Sequence, residues 1–328
     1  MAGTADRTDS EGRRRAAAVL LAVMALLALA AGTATAGTAE LGIYGGAGPH
    51  GARKILAFEA WLGRPVPRAL DFFAHASWAE LQEDSEWSLG SWRGARWKMV
   101  FSIPLLPDDG ASSLAAGAAG SYDDQFRRLA ARLVADGFGD AVLRLGWEFN
   151  GDWYPWAAAK CPDCFVAYWR RVVTAMRAVP GARFRFDWNA NLGSSPLAPE
   201  RVYPGDAFVD IIGLDVYNQS WDPDSVDARS RWQELLKGDH GLEWHRRFAA
   251  AHGKPMSYPE WGTGTRPDGH GGGDDPYFIE RMAEWIAAND VAYHIYWDYP
   301  AKDYDAELSR GRLPRAGAAF RRLFGPPR

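Results

Sequence analysis

Cysteine is scarce in this sequence, and patterns that bind metal ions are missing. The 328 residues contain two cysteines, Cys161 and Cys164, and seven scattered histidines without H-E-x-x-H spacing. A structural zinc site needs four nitrogen or sulfur ligands close together, and two cysteines cannot build a disulfide-rich scaffold. We therefore expect no metal site and no cofactor.

Long hydrophobic runs are absent except for one near the N-terminus. Residues 16–31 are uninterruptedly apolar, follow three consecutive arginines and precede an Ala-Thr-Ala triplet. This order is typical of a secretory signal peptide, and the run is shorter than the roughly 20 residues of a spanning helix. We predict a signal peptide over residues 1–36, cleavage near Ala36, and a secreted or cell-envelope protein without stable membrane association. A retained membrane anchor is the alternative.

The two cysteines stand in the turn Cys161-Pro162-Asp163-Cys164, and their expected oxidation state depends on whether the protein is exported. Disulfides persist in oxidising compartments outside the cytoplasm. We predict that Cys161 and Cys164 form a disulfide that closes a small loop. A thioredoxin-like redox role would require the βαβ setting of that fold around the motif.

A strong charge of either sign and several familiar motifs are also absent. The 37 basic and 41 acidic residues give a net charge of −4, so the chain has no electrostatic footprint for nucleic acid. Residues 45–48 are glycine-rich, but Pro49 follows and no complete G-x-G-x-x-G motif opens a helix. Ser194 and Ser195 lie outside a G-x-S-x-G elbow. Nucleic-acid binding, dinucleotide binding and serine hydrolysis are therefore not supported.

Tryptophan, by contrast, is abundant, with 16 residues beside 12 Tyr and 15 Phe. Aromatic faces bind the apolar C–H faces of sugar rings, but tryptophan also fills protein cores because it buries a large area. Composition leaves both roles open, and the positions of these residues have to decide between them.

Short apolar runs recur along the chain and alternate with segments of helical pattern. Near-continuous apolar strands between helices indicate a parallel sheet that is covered by helices. Eight such units in this length predict a closed (β/α)8 TIM barrel as one α/β domain over residues 37–328. An open, doubly wound sheet is the competing architecture. The eight predicted strands are 41–45, 69–73, 97–103, 141–147, 183–188, 209–217, 254–259 and 292–298.

Two segments carry clear helix signals, and two others carry weaker ones. Residues 121–136 place apolar side chains at i, i+3, i+4, i+7 and i+8, and residues 276–289 begin at Pro276 behind a capping Asp275. The weaker patterns lie at 163–178 and 231–251. The Gly- and Asp-rich stretch 262–275 is typical of a mobile loop.

Two glutamates stand at the ends of predicted strands, Glu148 after the fourth and Glu260 after the seventh. In a barrel, the carboxyl ends of the strands carry the active site, and these two strands lie across its mouth from each other. A pair of carboxyl groups about 5–5.5 Å apart is what retaining glycosidases use, one as general acid/base and one as nucleophile. Arg144 shares strand parity with Glu148, so we expect both to point inward, and a buried Arg needs a carboxylate partner.

The sequence around Glu148 resembles the acid/base motif of glycoside hydrolase family 26, roughly R-P-x-H-E-x-N-G-x-W-x-x-W. Residues 210–218 are similar to the sixth-strand segment of that family, which places a Tyr near the nucleophile. Residues 254–262 resemble its nucleophile segment. The matching residues are Arg144, Glu148, Asn150, Gly151, Trp153, Trp156, Tyr217 and Glu260.

The resemblance implies a retaining (β/α)8 glycosidase from a family of mostly β-mannanases, with some β-1,3/1,4-glucanases and β-1,3-xylanases. It implies Glu148 as general acid/base and Glu260 as nucleophile, with Trp297 where such barrels place an aromatic sugar platform. Arg144, Asn150, Trp153, Trp156 and Tyr217 would bind the substrate or orient the two glutamates.

One residue departs from the family pattern, because Trp147 stands where His precedes the acid/base Glu. Trp is bulkier than His and donates a single hydrogen bond. We expect Trp147 to lie against the substrate, which puts a preference for mannan in question. The departure also motivates an alternative hypothesis, a catalytically inactive secreted carbohydrate-binding or cell-envelope protein on the same fold.

Four further acidic residues fall on predicted strands. We expect them to make structural or substrate hydrogen bonds, because the glutamate pair already fills both catalytic roles. The expected partner is a polysaccharide or oligosaccharide, and we expect a monomer. The four residues are Asp187, Asp210, Asp215 and Asp298.

Overall fold

The computed structural model describes residues 39–225 and 227–327, and these residues form a (β/α)8 barrel. Eight parallel strands close on themselves in chain order, with β1 hydrogen-bonded to β8. The predicted fold class is therefore confirmed, and the open sheet is wrong. The strands are β1 Glu40–Tyr44, β2 Arg68–Phe72, β3 Lys98–Ile103, β4 Val142–Leu145, β5 Arg185–Asn191, β6 Ile211–Asn218, β7 Met256–Thr263 and β8 Val291–Trp297.

Helices cover the outside of the barrel. Within the described residues they are α1 Gly48–Leu62, α2 Trp78–Trp92, α3 Leu114–Ala119, α4 Asp123–Ala135, α5 Pro162–Arg177, α6 Ala228–Lys237, α7 Leu242–Ala251, α8 Pro276–Ala288 and α9 Pro314–Phe324, with short 3₁₀ segments at Ala158–Lys160 and Pro199–Val202. None of the helices in this part of the chain is both long and apolar enough to cross a bilayer. The predicted signal peptide over 1–36 lies outside the described residues.

The hydrophobic pattern predicts the helices well where caps and periodicity agree. In α4, the buried residues are four members of the predicted apolar stripe, Phe126, Leu129, Ala130 and Leu133. In α8, the Asp275 side chain accepts hydrogen bonds from the backbone N–H groups of Tyr277 and Phe278, as an N-cap does.

Several predicted boundaries differ from the structure, and two of the differences lie near glycines. The single helix predicted over 231–251 is two helices, because the chain breaks between Gly238 and Gly241. The loop predicted over 262–275 begins later, because β7 continues to Thr263. That loop is also paired with its neighbours, through bridges from Gly271 to Gln219 and from Thr265 to Asp305.

The core has two layers, one on each face of the sheet. This explains why the strand sequences are nearly continuous apolar runs. The larger layer lies between the outer face of the sheet and the helices. The smaller one fills the inside of the barrel, so both faces of each strand are buried. The inner layer consists of Tyr44, Leu70, Val100, Val142, Ile211, Tyr293 and Ile295.

Candidate active site

Glu148 reaches the mouth of the barrel from a tight turn that follows β4. The strand ends at Leu145, and both Gly146 and Glu148 then adopt the left-handed conformation with φ of 52°. The Glu148 N–H donates to the carbonyl of Asn189 at 2.9 Å, which ties the turn to β5. A non-glycine residue with positive φ is uncommon and is often found at functional sites.

This geometry corrects the strand-parity argument for Glu148. Parity correctly places Arg144 inside the barrel, where it is fully buried. Glu148 lies beyond the strand, and the turn through Gly146 directs its side chain into the cleft. A Cβ at Gly146 would lie 2.6 Å from the side chain of Leu105, so glycine is required at this point of the turn.

Glu260 lies within β7, where the strand is irregular. The pairing of β7 with β8 shifts register between Tyr258 and Trp261, and its pairing with β6 shifts between Gly213 and Val216. Pro259 has no N–H for the ladder, and bulges of this kind re-aim side chains next to active sites. The irregularity therefore explains how a residue in mid-strand faces the cleft.

The carboxylate of Glu260 is held by two donors. Nη2 of Arg144 lies 2.8 Å from its Oε1, and the hydroxyl of Tyr217 donates to its Oε2 at 2.7 Å. Burial raises the pKa of Tyr217 well above its usual value, an effect to which the negative charge of Glu260 adds. The phenol thus keeps its proton and remains a donor to Glu260.

Arg144 is the centre of a buried hydrogen-bonded network. It spans the barrel from β4 and donates to Ser102 on β3 at 2.8 Å, to Asn189 on β5 at 3.0 Å and to Asp215 on β6 at 2.7 Å. Burial raises the pKa of Asp215, and the positive charge of Arg144 opposes that rise. Arg144 is fully buried and lies behind Glu260, so we assign it to orienting Glu260 and not to contacting substrate.

Glu148 has a different environment from Glu260. Burial, together with the negative charge of Glu260, raises the pKa of Glu148 to about 8, while Arg144 and the hydrogen bond from Trp153 lower it. Nε1 of Trp153 donates to Oε2 of Glu148 at 3.1 Å. The negative charge of Asp303 raises this pKa further. A carboxyl group in this setting holds its proton at neutral pH and can serve as a general acid.

Both glutamates line a cleft of about 660 Å³ at the carboxyl ends of the strands. Four of the residues predicted to bind substrate also line it, namely Asn150, Trp153, Tyr217 and Trp297. Trp153 is 54% exposed, and Trp297 stacks on Tyr44 with ring centroids 4.3 Å apart. The same cleft therefore offers aromatic surface as well as the two glutamates.

Trp147 and Trp156 do not line the cleft, contrary to the sequence expectation. Trp147 is buried, packs on Trp156 at 4.7 Å between ring centroids, and donates from Nε1 to the hydroxyl of Tyr154 at 2.9 Å. Nε1 of Trp156 donates to the carbonyl of Trp147 at 2.9 Å. The left-handed turn sends Glu148 to the cleft and its neighbour into the core, so Trp147 forms the wall behind the acid.

Asn150 ties the catalytic turn to the next strand. Its side-chain amide donates to the carbonyl of Asn191 at 2.9 Å and accepts from the N–H of the same residue at 2.8 Å. The pair fixes the loop that carries Glu148 against the end of β5. Asn150 is 1% exposed, so its main contacts are with the protein.

Three of the four acids predicted to lie on strands make structural contacts; Asp187 lies on β5, whereas Asp210 directly precedes β6 and Asp298 directly follows β8. Asp187 accepts from Ser257 at 2.6 Å inside the barrel, and burial raises its pKa to about 6. Asp298 accepts from the backbone N–H groups of Leu308 and Ser309. Asp210 pairs with an arginine on α5 and with the backbone of β5.

Two further observations concern cysteines and metals. Cys161 and Cys164 are joined in a disulfide at the start of α5.

Among residues 39–225 and 227–327, no cluster of three or more His, Cys, Asp or Glu side chains is placed to hold a metal ion.

Sequence reasoning missed several residues that line the cleft. Most of them belong to the loops that follow β5, β6, β7 and β8, whereas Tyr154 lies in the loop after β4 and Asn191 is the last residue of β5. These loops follow the carboxyl ends of strands, so every polar or aromatic residue in them was a candidate, but no motif singles them out. They are Tyr154, Asn191, Leu192, Ser194, Ser195, Gln219, Trp221, Arg266, Ala301, Asp303 and Tyr304.

Comparison with known proteins agrees with the resemblance seen in the sequence motifs. The model of the family described as glycosyl hydrolase family 26 matches residues 126–254. This stretch contains Glu148 and Tyr217 and ends before Glu260. The predicted family resemblance is therefore confirmed.

Individual relatives are similar over part of their length. Endoglucanase H of Acetivibrio thermocellus is 27% identical over 220 residues, 63% of this chain and 22% of that protein. Mannan endo-1,4-beta-mannosidase of Bifidobacterium adolescentis is 29% identical over 173 residues, 48% of this chain and 16% of that protein. The chain thus spans about a fifth of the length of these curated relatives.

A solved structure supports the fold independently. An endo-beta-1,4-mannanase double mutant of Cellulomonas fimi has a TM-score of 0.61 to this chain, at 19% sequence identity, and covers 85% of this chain and 70% of that one. At this identity the likeness concerns the fold alone.

Proposed function

We propose that this chain, whose residues 126–254 match the model of glycoside hydrolase family 26, is a retaining glycosidase that cleaves β-glycosidic bonds of a polysaccharide. The observation that carries the proposal is the pair of carboxyl groups in one cleft with different surroundings. Glu260 accepts hydrogen bonds from Arg144 and Tyr217, whereas Glu148 has a raised pKa and accepts a hydrogen bond from Trp153. Carboxyl groups in unequal environments divide into nucleophile and acid.

In the first step, a carboxylate oxygen of Glu260 attacks the anomeric carbon of the sugar. The glycosidic C–O bond breaks, and the leaving oxygen takes the proton of Glu148. Arg144 and Tyr217 hold Glu260 in line for this attack, while Trp153 orients the acid. The product is a glycosyl ester on Glu260, and the freed end of the chain leaves.

In the second step, Glu148 is ionised and acts as a base. It takes a proton from water, the water oxygen attacks the anomeric carbon, and the ester bond to Glu260 breaks. Two inversions at the same carbon restore the β configuration. Glu148 ends the cycle protonated again, ready for the next bond.

A β-mannan or β-glucan is the substrate class that we propose. Endoglucanase H and the mannan endo-1,4-beta-mannosidase are the named relatives, and the aromatic surfaces of Trp153 and Trp297 suit the C–H faces of pyranose rings. The burial of Trp147 behind the acid means that the family His has no counterpart in the cleft itself. We therefore leave both sugars in the proposal.

The burial of Trp147 also removes the reason for considering a catalytically inactive carbohydrate-binding protein. Trp147 packs against the protein and leaves the cleft side of Glu148 open, so its bulk does not block the acid. Among the described residues, no contact in the site favours loss of catalysis. The alternative remains as an outcome of the experiment below, in which a wild-type protein that binds glycans but releases no reducing ends would support it.

The experiment uses azide as a second nucleophile with an aryl β-glycoside that needs no acid. In Glu148→Ala, the glycosyl ester forms and azide replaces water, so a β-glycosyl azide is expected. In Glu260→Ala, azide attacks directly and an α-glycosyl azide is expected. Products are identified by NMR, and Asp210→Ala, remote from the cleft, is the control. The same azide configuration from both variants, or wild-type turnover in Glu260→Ala, would refute the assignment.

We also propose that the chain acts outside the cytoplasm. The signal-like segment over 1–36 and the Cys161–Cys164 disulfide support this, since disulfides persist in oxidising compartments. Expression in the source cell with N-terminal sequencing of the extracellular protein tests it. A mature N-terminus near Gly37 is expected, and an intact N-terminus on membrane-bound protein would contradict cleavage.

A further inference from the structure

An exposed tryptophan lies where the cleft continues past the two glutamates. Trp221 lines the catalytic cleft and also an adjoining cavity of about 320 Å³, formed by the loops after β5 and β6. It is 55% exposed. Exposure alone does not distinguish Trp221, but a large exposed aromatic ring that lines a cleft offers apolar surface to a ligand bound there.

The ring of Trp221 is held in place by the loop after β7. The guanidinium of Arg266 lies 5.0 Å from the ring centroid, and the His270 ring stacks at 5.2 Å with planes 24° apart. The Ser220 N–H donates to the carbonyl of His270 at 3.1 Å, which joins the two loops. A side chain fixed in this way loses little freedom when a ligand binds, so it forms a preorganised platform.

Arg266 also orients a polar group beside this platform. It donates to Oε1 of Gln219 at 3.0 Å, while its other nitrogens bind Asp268. Within the described part of the chain, the NH₂ group of Gln219 donates no hydrogen bond, and Gln219 lines both cavities. The amide donor is therefore available at the cleft.

These groups match the two chemical faces of a sugar. An aromatic ring binds the apolar C–H face, and an amide N–H₂ donates to a hydroxyl. We propose that Trp221 and Gln219 form a sugar-binding subsite beyond the catalytic pair, for a β-linked mannan or glucan chain long enough to reach it. Arg266 is the positioning residue for both. The inference rests on the proposed function, because the subsite extends the same cleft.

If Trp221 and Gln219 bind a sugar, the affinity of the protein should rise with the length of the oligosaccharide. Under the proposal, a long oligosaccharide contacts both the glutamates and Trp221, whereas a disaccharide bound at the glutamates is too short to contact both. Trp221→Ala should therefore weaken binding of long chains roughly tenfold, the scale of one good aromatic contact. Binding of the disaccharide should stay unchanged.

Binding is measured by calorimetry in the Glu260→Ala background, so that no turnover interferes. The probes are manno- and cello-oligosaccharides from disaccharide to hexasaccharide. Trp87→Ala is the matched control, because Trp87 on α2 is 53% exposed and does not line the cleft. It should leave every affinity unchanged. Trp221→Phe keeps a smaller aromatic face and should recover part of the loss.

Kinetics in the active protein provide the second measurement. Trp221→Ala should raise KM for β-mannan or mixed-linkage β-glucan several-fold and leave kcat on a short aryl glycoside unchanged, because the platform does not touch the reacting atoms. An equal loss for short and long substrates would indicate a structural effect and overturn the subsite.

The two proposals fail in distinguishable ways. A wild-type protein that hydrolyses none of the polymers refutes the proposed function, while the calorimetric series still decides the subsite. Unchanged affinity of Trp221→Ala for hexasaccharides refutes the subsite alone. Failure of the Glu260→Ala protein to bind any oligosaccharide of either series also overturns it.

Discussion

Replacing Asp303 by asparagine removes one negative charge from the cleft at constant side-chain size. Asp303 lines the cleft, and in the described residues its side chain makes no hydrogen bond or ion pair. Its charge is one of the influences that raise the pKa of Glu148, after burial and Glu260. Asp303→Asn should therefore lower the pKa of Glu148.

The sign of the effect on activity follows from the role of Glu148 as acid. The acid must be protonated, so activity is present below its pKa of about 8 and is lost as the pH rises through that value. Removing the charge of Asp303 moves this alkaline limit to lower pH. Two charges near a protein surface interact by about 0.5–1 kcal/mol, which corresponds to a displacement of about half a pH unit.

Trp153→Phe should move the alkaline limit of activity to higher pH, opposite to the effect of Asp303→Asn. The hydrogen bond from Nε1 of Trp153 to Glu148 at 3.1 Å favours the ionised acid, and its loss raises the pKa of Glu148. Hydrogen bonds to charged groups contribute about 1.5–3 kcal/mol, and water replaces part of this at an exposed position. We expect the limit to rise by about half to one pH unit.

The assay is kcat/KM against pH on an oligosaccharide, whose poor leaving group requires the acid. Asp140→Asn is the control, since Asp140 is exposed and precedes β4 at the opposite end of the barrel. Raising the ionic strength should shrink the displacement in Asp303→Asn. Equal alkaline limits in wild type and Asp303→Asn, or displacements of the same sign in both variants, would refute the electrostatic account of Glu148.

Three other changes test the site and its support. Tyr217→Phe removes a donor at 2.7 Å from Glu260 and should lower kcat/KM about 10- to 100-fold, as expected for a lost charge-assisted hydrogen bond; unchanged kinetics would contradict its role in orienting the nucleophile. Trp147→His installs the family residue in a packed wall and should cost about 3 kcal/mol of unfolding free energy, measured by urea denaturation; a more stable variant would show that the wall is loosely packed. The double substitution of Cys161 and Cys164 by serine opens a loop of few residues and should cost at most about 2 kcal/mol while the activity at room temperature persists; loss of that activity would link the disulfide to the site.

Local sequence patterns predict the barrel and its two glutamates, because apolar strands and short motifs are formed by residues that are neighbours in the chain. Strands buried on both faces need apolar side chains at successive positions, so their number and order can be read from the chain. The boundaries are less certain, because they depend on turns. The φ of 52° at Glu148 has no signal in the sequence beyond Gly146, and β7 runs on to Thr263 through an irregular register.

The roles of individual aromatic and charged residues depend on the tertiary structure. Trp147 belongs to the motif but lies in the wall, whereas Trp221 belongs to no motif and lies exposed in the cleft. Asp303 likewise belongs to no motif and lines the same cleft as Glu148 from the loop after β8. Sequence determines which side chains are available at the carboxyl ends of the strands. Only the folded barrel decides which of them share a cavity, because the loops after β6, β7 and β8 converge in space and not along the chain.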